Sequence, residues 1–176
     1  MLVFILATVI WLAPALRAVG VEQRPNFTGT WTLDAAKSSA VGGGRGTVDT
    51  PGGGRGGGLG LGPAADSVTI TQTTETLTID ERRGTATSRI VYRLDSTSGV
   101  NVLAAGRNAG AKASSLSRWQ GSRLVTTVTV ATSPDVKQAI TYEETRWLEP
   151  DGTMVVETRR PGEPNQRRSV YRAARQ

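Results

Sequence analysis

Neither cysteine nor histidine occurs among the 176 residues of this chain, and each absence removes a class of chemistry. Without cysteine there is no disulfide, no lipoprotein anchor, no thiol nucleophile and no thiolate-ligated zinc. Export stays open to such a chain, because a domain of this size folds without covalent staples. Without histidine the commonest general base and transition-metal ligand are gone, together with every Ser-His or Cys-His arrangement. An enzyme built here would have to work with carboxylates, tyrosines, lysines and arginines alone. No segment shows an apolar stripe of period 3.6, which argues against a helix-rich fold. No Asp-rich loop is available for a hard cation, and neither a metal nor any other cofactor is expected.

What is present begins with an uncharged stretch from Met1 to Leu16, followed by Arg17 and edged by the small residues Ala13, Ala15, Ala18 and Gly20. Small residues at that place suit a signal peptidase, and the apolar run falls short of the roughly 20 residues that span a bilayer. Residues 1–20 are therefore expected to be a cleaved signal peptide, making the protein secreted or periplasmic and in contact with a membrane only through that segment. Residues 21–176 then form a single domain, since so few residues support one core and not two.

The formal charge is +6 and nearly all of the basic residues are arginine. They alternate with acids along strand-like segments, so no nucleic-acid partner is expected. Arg159, Arg160, Arg167, Arg168, Arg172 and Arg175 are answered only by Glu163. That cluster reads as a solvated strand and tail.

Twelve of the 21 glycines lie between Gly42 and Gly62. Such a stretch has almost no side chain to bury and much backbone entropy to lose, so residues 41–63 are expected to be a flexible, disordered Gly-rich insertion. It lacks the Gly-Lys-Ser/Thr that a phosphate-cradling loop requires.

After Ala65 the pattern has period two. Val68 and Ile70, then Leu77 and Ile79, alternate with threonines, as half-buried strands do. Thr85–Leu94 puts Ala86, Ser88, Ile90, Tyr92 and Leu94 on one face, and Asp95 to Gly99 reads as a polar turn. Ala111–Gln120 and Arg123–Val130 make a hairpin about Gly121. Lys137–Leu148, Thr153–Arg160 and Gln166–Arg172 follow, separated by the turns Pro150-Asp151-Gly152 and Pro161-Gly162-Glu163-Pro164. With Phe27–Leu33 there are nine candidate strands. Strands joined by short turns pair with their neighbours, and a sheet this long closes to remove its edges and cover its apolar face. The expectation is an all-β antiparallel meander closed into a barrel of about 8–10 strands.

Asn26-Phe27-Thr28-Gly29-Thr30-Trp31 resembles the opening Gly-x-Trp signature of lipocalins and the wider calycin group. Thr32-Leu33-Asp34-Ala35-Ala36-Lys37-Ser38 is similar to the start of uncharacterised exported bacterial lipocalin-like proteins, as are Trp119-Gln120-Gly121, Trp147 ahead of Asp151-Gly152, and Val170-Tyr171-Arg172. The resemblance implies a lipocalin-like β-barrel whose closed end is plugged by Gly29 and Trp31, with Arg168 or Arg172 stacked on the indole as a cation–π pair. It also implies departures: the Gly-rich insertion falls in the first barrel loop, and the Arg-x-Tyr carboxylate clamp of fatty-acid-binding proteins has no counterpart, Arg168 and Tyr171 being three apart.

Adjacent Glu143 and Glu144 point to opposite faces of a strand. Asp80 and Glu81 beside Arg82 and Arg83 read as compensated surface charge, and nothing marks an acid/base pair among the fifteen acids. Trp119 shares a file with Ala111, Ala113, Ser115 and Ser117, small residues that leave room next to it. Tyr92, Ser115, Ser117, Trp119 and Trp147 are the candidate ligand-lining residues. Trp147 and Tyr142 have opposite parity, so one of them must face out. The expected function is an exported non-enzymatic barrel, monomeric, binding a small apolar or amphipathic ligand. A structural or interaction module of the cell envelope is the alternative.

Overall fold

In a computed structural model of the chain, residues 23–39, 64–103, 110–131, 139–162 and 166–174 are described. The expected signal peptide and Gly-rich insertion lie outside the described residues. Ten strands run β1 (Gly29–Leu33), β2 (Ser67–Gln72), β3 (Thr76–Arg83), β4 (Ala86–Arg93), β5 (Ser98–Val102), β6 (Lys112–Gln120), β7 (Arg123–Val130), β8 (Ile140–Leu148), β9 (Met154–Arg159) and β10 (Gln166–Ala173). Nine of them answer to the segments picked out by alternation. The tenth, β5, begins inside the turn expected over Asp95 to Gly99 and continues past it, Ser-Gly-Val-Asn-Val being too short and too poor in large residues to register as alternation.

Every pairing is antiparallel and, with one exception, between sequence neighbours; the sheet order is β4-β3-β2-β1-β10-β9-β8-β7-β6-β5. The exception is β1 with β10, in the register Trp31↔Ala173 and Leu33↔Tyr171, which brings the two ends of the chain together and rolls the sheet into a barrel. Tight turns hold the meander in register. Arg123 pairs with Gln120 across a two-residue connection whose Gly121 has φ 60°, a conformation that costs glycine nothing and a side chain much. The C-terminal ends of β1, β3, β5, β7 and β9 lie at one end of the barrel, here the mouth. The others, with the arm before β1, gather at the opposite end.

Register places one residue in two inside. Phe27, Ile70, Leu77, Ile79, Leu124 and Met154 are fully buried there, each contributing about 1.5–3 kcal/mol of apolar burial. A smaller cluster of Trp147, Val155 and Val170 is buried on the outer surface. Part of its cover is the chain leaving β1: Asp34 N–H donates to Val170 O at 2.8 Å and Ser39 N–H to Arg168 O at 2.9 Å, while Val170 N–H donates to Ser38 Oγ at 3.0 Å. Arg123 and Arg168 stand 4.4 and 5.7 Å from the Trp147 ring.

Candidate functional site

The end opposite the mouth is sealed by aromatic side chains. Gly29 has φ 143°, which an L side chain rarely adopts, and the bend lets the arm fold back so that Trp31 Nε1 donates to Phe27 O at 2.9 Å. Phe27 stacks on Trp119 at 6.1 Å with the rings 3° apart, and Arg24 sits 5.6 Å from the same indole. Gly29 and Trp31 are thus at the sealed end, while the expected cation is absent from Trp31. Even-numbered positions of β10 face outward, so Arg168 binds Glu149 and Glu157 at 3.2 and 3.5 Å and stands by Trp147. Arg172 pairs with Asp34 at 2.5 Å. The inward residues of β10 include Arg167, Ser169 and Tyr171.

The expected lining residues separate in the same way. Tyr92, Ser115 and Ser117 are buried inside, and Trp119 is half-buried at the sealed end. Beside Trp119 stand Phe27, stacked on its ring, and Leu124, its cross-strand partner. Trp147 does not line the interior. It pairs with Val155 in the outer cluster, its ring N–H donating to Glu149 Oε1 at 3.1 Å, and Tyr142 takes the inward parity.

That parity brings inside a pair that alternation alone did not single out. Glu144 and Arg146 follow Tyr142 at two-residue intervals on β8, and Arg146 Nη2 donates to Glu144 Oε1 at 2.7 Å. On the facing wall Glu81 is also inside and not at the surface: Ser88 Oγ donates to Glu81 Oε2 at 3.2 Å, and Arg83 lies 2.8 Å from it. Asp80, one residue away, faces out to Arg89 at 2.6 Å. Ser117 and Thr126 share a hydroxyl hydrogen bond of 2.9 Å. Glu81, Glu144, Arg146, Arg167, Ser169 and Tyr171 surround a cavity of about 30 Å³, room for one or two waters and an order of magnitude below a usual small-molecule pocket.

Arg146 is the unusual member. Its side chain is 7% exposed, yet Nε and Nη1 have no hydrogen-bond partner. Thr158 Oγ1 and Ser115 Oγ are buried and unpartnered as well. Buried donors normally find acceptors, and leaving them unmade costs about 1–3 kcal/mol each, more for a charged group. The arrangement has donors to spare and is suited to an acceptor from outside the chain.

The three tyrosines of the chain all face this interior. Burial and then Glu144 push the Tyr92 and Tyr142 phenols well up, and burial followed by Glu81 pushes Tyr171 up to about 12. Both inward acids line the cavity, but each is held by an arginine on its own strand, so neither is a free acid or base. Among the described residues no group of three or more acids comes together as a metal site.

The sequence matches no protein-family model and no curated protein. Among solved structures, human cRBP IV, a cellular retinol-binding protein, is similar over 85% of this chain and 99% of its own, with TM-score 0.55 and 19% identity. A fatty acid transporter, REP1-NXSQ, is similar over 85% of this chain and 96% of its own, with TM-score 0.54 and 15% identity. At these identities the likeness is one of fold. The chain has the lipocalin-like, calycin-type barrel that its first strand suggested.

Proposed function

We propose that the barrel is an exported, non-enzymatic binding protein for a small amphipathic molecule whose acidic group rests on Arg146. The observation that carries this reading is the buried guanidinium with Nε and Nη1 unpartnered beside a small cavity. A carboxylate oxygen accepts a charge-assisted bond from either of these N–H groups, and the cavity is about the size of that group. Solved structures of the same fold that bear retinol-binding and fatty-acid-transport names support a partly apolar ligand. The cavity beside Arg146 is small, which favours a compact acid.

Calorimetric titration of carboxylic acids of rising chain length against their methyl esters tests this. Acids are expected to bind and esters to bind at least about tenfold more weakly, since charge-assisted bonds are worth about 1.5–3 kcal/mol. The paired variant Arg146→Met with Glu144→Gln is expected to lose the distinction. Equal binding of acid and ester, or saturable binding of neither, sinks the proposal.

The envelope-module reading has its own observation. Val100, Val102 and Leu116 are 66, 60 and 45% exposed and share the outer face of β5 and β6. Replacing all three with serine is expected to release the protein from envelope fractions if that face is its contact, and to leave acid binding intact.

A further inference from the structure

Asn101 stands in for a missing ladder. β4 and β5 are consecutive strands, yet they are the two ends of the sheet order, and among the described residues no ladder joins them. Where a rung would run between backbones, the Asn101 side chain makes both of its bonds: Val91 N–H donates to Oδ1 at 2.8 Å and Nδ2 donates to Val91 O at 3.0 Å. One residue of β4 is thereby satisfied as a neighbouring strand would satisfy it. Two positions earlier Gly99 permits the approach, since a Cβ there would lie 3.3 Å from Ser115 Oγ, 3.5 Å from Arg93 Cγ and 3.6 Å from Val91 O.

Asn101 is the penultimate residue of β5, so the side-chain stitch lies at the mouth-ward end of the strand. Inside the seam, Ile90 and Leu103 are partly buried against the core, and a parting there would open directly onto the barrel interior. Elsewhere around the wall neighbouring strands are joined by ladders of three or more paired residues, which open only when several bonds break together. Across the seam the two Asn101 side-chain bonds stand in place of such a ladder.

We propose that Asn101 is the latch of a lateral gate between β4 and β5 through which ligand reaches the interior. The proposal rests on the reading that the barrel takes a ligand, and on β4 and β5 being the consecutive strands that no ladder joins among the described residues. Binding energy is unaffected by the latch because Asn101 bonds to Val91 and not to the cavity. Rates are affected, because the passage opens as often as the latch does.

The test combines amide hydrogen exchange with stopped-flow binding of the tightest acid found by calorimetry, using wild type, Asn101→Ala and Asn101→Asp. The Val91 amide is expected to exchange about 5–10-fold faster in Asn101→Ala, the effect of losing one ordinary hydrogen bond. Association and dissociation of the acid should accelerate together, with Kd within twofold of wild type. Asn101→Asp keeps an acceptor for Val91 N–H and loses the donor to Val91 O, so it should speed both rates while still shielding that amide, and it replaces the alanine variant if that fails to fold. Unchanged binding rates in a folded variant overturn the gate, as does unchanged Val91 exchange in Asn101→Ala. If wild type binds no acid while Asn101→Ala still frees the Val91 amide, the proposed function fails and the gate falls with it. The exchange result then shows which of the two was at fault.

Discussion

Arg146 and Glu144 are a buried pair in which each member holds the other's charge. Removing the cation alone leaves Glu144 in the interior without its partner, so Arg146→Met is expected to destabilise the protein by about 3–5 kcal/mol. Adding Glu144→Gln should recover most of that loss in urea denaturation. A single variant no worse than the double one would mean that the pair is hydrated and not buried. The tyrosines permit a second test at this scale. Their native pKa values stand above the ordinary value near 10, that of Tyr171 at about 12. At pH 10–12 the unfolded chain therefore binds fewer protons than the native one, and stability is full below pH 10 and falls as pH rises. The slope is about 1.4 kcal/mol per pH unit for each phenol kept neutral. Phenolate absorbance should stay low through pH 10–11 and then rise in one step as the barrel unfolds. A smooth titration centred near pH 10 would show the phenols to be solvated.

β6 inverts the usual arrangement of a strand. Its inward file is Ala113, Ser115 and Ser117 ahead of Trp119 at the sealed end, whereas Leu116, a large apolar residue, faces out. Leu116→Thr is accordingly expected to move stability by no more than about 0.5 kcal/mol. Ser117→Leu should cost about 1–3 kcal/mol through overpacking and loss of the bond to Thr126. Thermal denaturation that ranks the two the other way round would reverse the assigned faces. β8 shows how parity could be read and still leave a choice open. Opposite parity for Tyr142 and Trp147 was visible in the sequence, but which one faced in was not, because either is a good core residue. Choosing Tyr142 would have put Glu144 and Arg146 inside, a choice that hydrophobicity discourages. β5 escaped notice because its one inward polar side chain, Asn101, acts across strands and has no local signature.

At the scale of the whole molecule the barrel depends on β10, which pairs with β9 on one side and β1 on the other. Deleting residues 166–176 would strip both neighbours of their partner and uncover the interior at Met154, Val156 and Trp31. The truncated chain is expected to show no cooperative thermal transition; retention of one would mean that β1 and β9 re-pair directly. Alternation of period two and turn-forming residues at Gly121 and Asp151-Gly152 determined from the sequence alone that the chain makes a meander, and its length determined that the meander must close. Both are local or additive properties, legible residue by residue. Which face of β8 turns inward, which arginine meets which indole, and where the wall is left unstitched were decided only by tertiary structure. Those outcomes depend on how strands far apart in the chain fall into register, and a shift of one residue would exchange every inside side chain for an outside one.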